Sequence, residues 1–448
     1  MIFTLPPHFS HFSISMANTR FRRCAHGGCP HIDLADPDNY VGGVPFEWLK
    51  QLRAEEPVSW QTTDAFEAGG YWAITKHKDL DFISKKPLLF SSEQRTCMLQ
   101  DVAADQLPLQ QMILINMDPP RHIQHRRIIR KAFIPKVIDS YHQRFQEVAK
   151  DVLDRVVSKG RCEFVQDVAA ELPLIAICEL MGVPIEHRHK IFEWTNIMIG
   201  SDDPDLTTTE EDAQNAMMEL FMFGSQMAAD YEEGKVKGIE GSHIMSALLD
   251  GIDGEKLSHE EFSSFFLILL IAGNETTRTV TAHGMRLLMD NPDQLQELID
   301  NPALIPNAME EVLRYHTAVV AFRRTATEDV ELPSGHTVKK GENVVLFYHS
   351  ASRDEEIFDD GEVFDIRRQE REDVKNKHRA FGIGEHFCLG SHLARLELQV
   401  IFEEIIPRLR NPKLDKPINW LRSNFINGIK EMHITFDPEA PTKQSSNH

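Results

Sequence analysis

Nowhere in the 448 residues is there an apolar run long enough to cross a bilayer. The longest, Phe262–Gly273, has about a dozen residues against the roughly 20 that a spanning helix needs, so a buried helix is expected there. The stretch Met1–Met16 has no Lys or Arg ahead of its apolar part and no cleavage-site pattern, and does not read as a signal peptide. Six cysteines in a chain this long do not make a disulfide framework, which predicts reduced thiols and a cytoplasmic location. Positive charge is also in short supply. With 48 basic against 69 acidic side chains the net charge is −21, which argues against a nucleic-acid binder that must cluster Lys and Arg on phosphates. There is no internal repeat and no linker rich in Gly, Pro or Ser, so a single folded unit is expected despite the length.

What is present is mostly helical. Tyr141, Phe145, Val148, Val152 and Val156 recur at three- and four-residue intervals and predict an amphipathic helix over Tyr141–Val157. Ser258 and Glu261 have capping-box spacing, so a helix starts at about His259 and its pattern continues towards Met289, where Asn291-Pro292 restarts the chain. Leu393, Leu396, Val400 and Ile401 share a face of a helix over Leu389–Ile406. Strand signals are few: Tyr71–Thr75, Thr337–Val338 and Asn343–Tyr348. The fold class is therefore mainly α with small β-sheets. Residues 1–34 read as a flexible leader, 35–437 as the folded domain and 438–448 as a flexible tail. Cys24, His26, Cys29 and His31 invite a zinc reading, but the tight Cys pairing and second downstream pair of such sites are missing.

The most informative string is Phe381-Gly382-Ile383-Gly384-Glu385-His386-Phe387-Cys388-Leu389-Gly390. Three glycines allow a tight loop with close backbone approach to a flat partner. Cys388 stands where a helix begins, and free N–H groups there favour thiolate over thiol. A thiolate so fixed suits haem iron. The string resembles the haem-ligand signature of the cytochrome P450 family, Phe-Gly-x-Gly-x-(His or Arg)-x-Cys-x-Gly, at every fixed position. The resemblance implies haem b, with Cys388 as axial ligand of the iron and His386 pairing with a haem propionate.

Other motifs agree with it. In Ala272-Gly273-Asn274-Glu275-Thr276-Thr277, Gly273 costs the helix about 1 kcal/mol relative to Ala, and the Thr276 hydroxyl can compete for the carbonyl four residues back and help distort the helix. The string resembles the family's oxygen-activation motif, which implies proton delivery by Glu275 and Thr276. Glu311-Val312-Leu313-Arg314 resembles its Glu-x-x-Arg core motif, with Arg368 as third member, a structural and not a catalytic group. His122 and Arg126 lie four apart after Asp118-Pro119-Pro120, a helix-start signal, so they share a face. With Arg324 they match the family's propionate partners. The resemblance runs from about Asp33 to Pro438 and implies a single triangular, mainly α-helical domain with haem between a long central helix and the Cys loop.

By resemblance the chain is then a monooxygenase inserting one atom of O2 into an unactivated C–H bond. No dinucleotide glycine fingerprint follows a predicted strand, so electrons are expected from NAD(P)H through a separate ferredoxin reductase and ferredoxin. Arg121, Arg126, Arg127, Arg130 and Lys131 fall within eleven residues that hold no Asp or Glu, against the acidic background of the whole chain. Ordinary solvation and propionate pairing use part of this patch; the remainder, Arg121, Arg127, Arg130 and Lys131, suits docking of an acidic ferredoxin. Pocket residues by family position are Ile268, Ile271, Ala272, Val319, Val320 and Phe425, all apolar, so the substrate's buried part is expected to be apolar too. The five methionines between Phe192 and Met227 suit either helix packing or an adaptable lid, with packing the leading reading. The Ala-Gly-Asn-Glu-Thr-Thr and Asn116-Met117-Asp118-Pro119-Pro120 strings resemble the bacterial branch acting on sterol side chains, branched lipids and monoterpenoids. A terpenoid or steroid-like substrate is expected, with tailoring of a polyketide or other secondary metabolite as the alternative. A peroxide-driven peroxygenase or a haem sensor has less use for the acid–alcohol pair Glu275–Thr276.

Overall fold

The structure, a computed structural model, describes residues 22–23, 30–31, 33–206, 209–235, 243–251 and 256–439. Cys24, His26 and Cys29, most of the expected leader and the tail beyond Glu439 lie outside the described residues. In chain order, the helices that frame the site are α1 (Arg121–Arg130), α2 (His142–Asp154), α3 (Glu171–Leu180), α4 (Arg188–Ile199), α5 (Glu210–Glu232), α6 (His259–Asp290), α7 (Ile305–Tyr315) and α8 (Ser391–Arg408).

Helix α6 begins where the capping box places it. Glu261 N donates to Ser258 Oγ at 3.2 Å, and Ser258 N donates to Glu261 Oε2 at 2.8 Å, so two orphan amides at the helix start are satisfied reciprocally. At 32 residues it is about 48 Å long and crosses the molecule. Helices α3, α5, α7 and α8 pack around it, and the apolar faces of all five merge into the largest core cluster. The methionines Met217 and Met227 belong to that packing, whereas Met218 and Met222 are exposed. Helix α8 starts at Ser391, two residues later than expected, because Cys388-Leu389-Gly390 forms the turn that leads into it. Helix α2 is shorter than its apolar pattern: residues 157–159 tighten into a 3-10 turn that Gly160 ends in the left-handed region, at φ 66°.

The principal sheet has strands β1 (Val58–Thr62), β2 (Gly70–Ile74), β3 (Phe90–Ser91), β4 (Ala321–Ala326) and β5 (Asn343–Phe347) in the order β1-β2-β5-β4-β3. Only the β2–β5 pairing is parallel, and β5 faces β4 with Val344 opposite Arg324. Strands β2 and β5 are two of the three expected from sequence, and the third, Thr337–Val338, pairs with Val330–Glu331 in a separate two-stranded sheet. Strand β4 escaped notice because its centre carries Arg323 and Arg324, both buried.

Two buried polar networks fix the core near the site. In the first, Arg314 clasps Glu311 at 2.7 and 2.8 Å while Arg368 Nε reaches Glu311 Oε1 at 3.2 Å, all three side chains fully buried. The arginines use their remaining donors nearby: Arg314 on the carbonyls of Ser352, Gly361 and Val363, and Arg368 on those of Asp359, Asp360 and Val363 and on the Glu372 carboxylate at 3.0 Å. The triad read from sequence is thus a clamp on the chain just before the Cys loop, with its lone pairs and protons satisfied, as a buried ion pair requires.

The second network keys α6 to the C-terminal chain through three buried histidines. His283 Nε2 lies 2.8 Å from Asn427 O, its ring stacks on His316 at 4.2 Å, and Thr317 Oγ1 meets His349 Nδ1 at 2.9 Å. Burial keeps the imidazoles neutral: His283 is pushed down to about 4, and His316 and His349 lie well below their ordinary value. Among the described residues the free thiols Cys97, Cys162 and Cys178 are buried as well, and burial raises them to about 11, about 12 and about 12.

Candidate active site

The segment ahead of Cys388 is pinned from two sides. Arg379 makes a bidentate pair with Asp81 at 2.6 and 3.0 Å, and His378 Nε2 sits 3.0 Å from Glu310 Oε2. Glu310 in turn accepts from Arg395 Nε of α8 at 2.6 Å, and that guanidinium lies over the Phe381 ring. The loop closes on itself where Cys388 N donates to Phe381 O at 2.9 Å. Gly384 has φ 78°, and a side chain there would collide with the Ser84 carbonyl, so glycine is obligatory. Gly382 also has positive φ, yet at Gly382 and Gly390 an added Cβ would meet nothing within 4 Å. Both line an internal cavity, into which they present bare backbone.

Cys388 opens onto this cavity. Burial raises its thiol, and the Gly390 N–H, Arg126 and Arg395 pull the other way without overcoming it. The helix-end stabilisation expected from sequence is present as the Gly390 N–H, but in the protein alone desolvation is larger.

The opposite wall is α6. Thr276 and Ala272 line the cavity, and Thr276 Oγ1 donates to Ala272 O at 2.7 Å, the backward bond anticipated from sequence. The helix nevertheless stays α-helical throughout. Gly273 is explained by packing: a Cβ would press on the Ile177 side chain of α3 at 3.1 Å. Glu275 is buried but is not among the residues lining the cavity. It is ion-paired with Arg278 and accepts from Thr279 Oγ1 at 3.4 Å, while Arg278 donates to Asn196 of α4 at 2.7 Å. The neighbouring Asn274 reaches Thr195 of α4 at 3.4 Å. One carboxyl does face the cavity and was missed from sequence: Glu397 of α8, 1% exposed. Its sequence context is an ordinary amphipathic helix, with nothing to single it out.

The cavity's third side is basic. His122 and Arg126 project from α1, Arg324 from β4 and His386 from the Cys loop, and all four line the cavity. The rings of His122 and His386 are 4.1 Å apart. Burial, with Arg126 and Arg324 close by, pushes His122 down to about 4, and His386 lies well below its ordinary value for the same reasons. Among the described residues none of the four is ion-paired with a carboxylate, and His122 Nδ1 is buried without a partner. Asp118 does not cap α1, since its carboxylate accepts from Ser92 N at 2.8 Å. Instead, α1 is held to the start of α6 by His125, whose Nε2 lies 2.8 Å from Glu261.

A cavity of about 240 Å³ with Cys388 on one wall, apolar side chains on the other, and two arginines and two neutral imidazoles without carboxylate partners at its edge suits a flat apolar ring carrying two carboxylates. The bare backbone at Gly382 and Gly390 leaves room for its face, and the orphaned His122 Nδ1 needs a partner of the kind a propionate offers. The residues present therefore fit a haem. Of the expected pocket residues, Ile268, Ala272 and Val319 line the cavity. Ile271 and Phe425 are not among the lining residues and pack with Leu421 and Ile426, and Val320 is fully buried against the sheet. Arg121, Arg127, Arg130 and Lys131 share α1 and its C-terminal end; Arg121 meets Glu93 at 3.5 Å. No helix of the described residues is long and apolar enough to cross a membrane.

Comparison with known proteins agrees with this geometry. The cytochrome P450 family profile matches residues 91–418. The steroid C26-monooxygenase of Rhodococcus jostii is 38% identical over 90% of this chain and 84% of its own length. The linalool 8-monooxygenase of Pseudomonas putida is 32% identical over 91% of this chain and 99% of its own. Among solved structures, a Mycobacterium marinum cytochrome P450 in complex with pseudoionone superposes with a TM-score of 0.81 at 30% identity, covering 92% of this chain and 100% of that one. The chain belongs to the cytochrome P450 family, and by that membership it is a monooxygenase whose cofactor is a cysteine-ligated haem.

Proposed function

We propose that the protein hydroxylates an apolar terpenoid or steroid-like substrate with electrons from NAD(P)H, delivered by a ferredoxin reductase and a ferredoxin. One C–H bond, one O2, two electrons and two protons give the alcohol and water. Bound in the cavity, the haem supplies the activation of dioxygen. Cys388 is assigned as its ligand, and His122, Arg126, Arg324 and His386 as the hydrogen-bonding partners of its propionates. Thr276 stands at the cavity wall as a hydroxyl able to pass a proton inward. Glu275, behind it and paired with Arg278, is the acid nearest in sequence to that hydroxyl.

The observation that carries the substrate reading is the apolar part of the cavity wall. Ile268, Leu269, Ala272, Val280, Val319 and Phe322 offer only apolar contact, which suits a hydrocarbon held by area and shape. Relatives named for steroid and linalool oxidation support a substrate of that class. The free, protonated thiols suit a reducing cytoplasm. Electron delivery is assigned to the basic end of α1, where Arg127 and Arg130 fall in the last turn and Arg126 reaches the Phe387 carbonyl beside Cys388. Titrating the ferric protein with a panel of terpenes and sterols tests the first half: a substrate-induced spin-state change with at least one of them is expected, and none with any would refute it. Reversing charge at Arg127 and Arg130 tests the second half. First electron transfer from ferredoxin should slow and lose its salt dependence; an unchanged rate would refute the docking assignment.

A further inference from the structure

Two positive groups stand close enough to Cys388 to favour its thiolate, and they are placed differently. Arg126 lines the cavity and is assigned to a haem propionate, so a carboxylate of the cofactor answers its charge. Arg395, one turn into α8, is not among the lining residues, and its charge is answered by the protein. Its guanidinium lies 4.6 Å from the centre of the Phe381 ring, and Phe381 O accepts from Cys388 N at 2.9 Å. Arg395 Nε and Nη2 donate to the two carboxylate oxygens of Glu310 at 2.6 and 3.1 Å. Among the described residues Arg395 hydrogen-bonds no main-chain carbonyl, whereas Arg314 clasps three, so Arg395 is not a clamp on the chain. Glu310 has one further partner, the buried His378. Ala380 N donates to His378 Nδ1 at 3.2 Å, which leaves Nε2 to carry the proton and donate to Glu310 Oε2 at 3.0 Å. That bonding holds the imidazole neutral, as its burial also favours. The charge of Glu310 is therefore answered by Arg395 alone. The positive end of this pair touches the Cys loop through Phe381, and the negative end meets the segment ahead of the loop through His378.

We propose that the Arg395–Glu310 pair sets the reduction potential of the haem iron through Cys388: Arg395 raises it by placing a positive charge beside the ligating sulfur, and Glu310 limits that rise by neutralising and orienting the guanidinium. Reduction adds one electron, supplied by the donor, to an iron whose ligand is already an anion. A nearby cation favours the added negative charge and a nearby anion opposes it, both more strongly where there is little water. Neither side chain lines the cavity, so both are positioning residues that act through Cys388. What they govern is the driving force with which the first electron arrives. The proposal rests on Cys388 as the haem ligand, and on neither the substrate class nor the identity of the electron donor.

Redox titration of the haem-loaded protein, followed by its absorption spectrum, tests the pair. Arg395→Gln should lower the midpoint potential. Glu310→Gln, which keeps the size of the side chain and an acceptor for His378, should raise it. Each single change should shift the ferric–ferrous equilibrium about tenfold, which is about 59 mV for a one-electron couple. The double variant should return most of the way to wild type, and Arg395→Lys, which keeps the charge, should stay close to it. A packing defect gives no reason for the potential to move in opposite directions as the sign of the removed charge changes. Potentials that move the same way in both single variants, or in neither, overturn the proposal. Should Arg395→Gln fail to retain haem, the isosteric Glu310→Gln decides alone, and the absence of a rise in its potential overturns the proposal. The carbon monoxide spectrum of the wild type separates this result from the ligand assignment. A spectrum without thiolate ligation refutes Cys388 as the ligand and the proposal with it, whereas thiolate ligation with unmoved potentials refutes only the role of the pair.

Discussion

Acid should loosen this protein through His283, and the size of the effect follows from where that imidazole sits. It is fully buried between α6 and the C-terminal chain, stacked on His316, with Asn427 O as its bonded partner and Arg286 and Arg353 adding positive charge to the surroundings. Its folded-state value of about 4 lies below the ordinary 6.5 of an exposed histidine. The unfolded chain therefore binds the proton more readily, so this stabilisation is complete above about pH 6.5 and is lost as the pH falls towards 4. The full shift corresponds to about 3 kcal/mol, of which about 2 kcal/mol disappears between about pH 7 and pH 5. His316 and His349 shift in the same direction and add to the slope. The assay is urea unfolding of the haem-loaded protein at both pH values, comparing wild type with His283→Gln, whose amide can still donate to Asn427 O. The variant is expected to lose about 2 kcal/mol of the pH dependence, whatever its stability at neutral pH. An unchanged slope would show that His283 does not carry the acid sensitivity and that the buried-cluster reasoning is wrong.

Further outcomes follow from other parts of the frame. Gly384→Ala places a side chain at φ 78° against the Ser84 carbonyl, and should cost on the order of 1–3 kcal/mol and lower haem retention on purification. Arg314→Ala leaves Glu311 buried beside Arg368 alone and frees three carbonyls, so a loss of about 3–5 kcal/mol is expected in thermal or urea unfolding. Thr276→Ala removes the cavity hydroxyl while sparing the apolar wall. Substrate binding should persist, whereas product per NAD(P)H falls about tenfold or more and hydrogen peroxide rises. Arg278→Ala removes the cation from the buried Glu275 and the tie to Asn196, and should lower both the stability in urea unfolding and the product formed per NAD(P)H.

Much of this was legible in sequence, for identifiable reasons. The capping box at Ser258 and the apolar period behind it depend on near neighbours, so the start of α6 could be placed to the residue. The Gly-rich Cys loop and the Glu311–Arg314 pair are also local, and Arg368 followed from the family pattern. Strand β4 was missed because Arg323 and Arg324 break the apolar reading, and their burial is made possible by partners elsewhere in the chain, such as Asp101 on Arg323. Glu397 was missed for the same reason: only the packing of α8 against α6 leaves its carboxyl without a cation. Ile271 and Phe425 were assigned to the cavity wall, and a rotation of a few tens of degrees about the helix axis, or one step of a loop, decides which side of that wall a residue takes. The direction of Glu275 away from the cavity is likewise set by Arg278 one turn on, a pair that sequence spacing allows but does not require.

The buried cysteines bear on how long such a catalyst survives its own errors. A cycle that reduces O2 without forming product would release hydrogen peroxide inside the protein, and peroxide attacks thiolates far faster than thiols. Cys97, Cys162 and Cys178 are held neutral and out of reach, with values near 11 to 12. Burial raises the Cys388 thiol as well, but among the described cysteines it alone opens onto the cavity, which makes it the vulnerable sulfur. Oxidative wear should therefore appear as loss of the haem ligand and not as scattered damage through the core, so that a failing molecule goes silent before it unfolds.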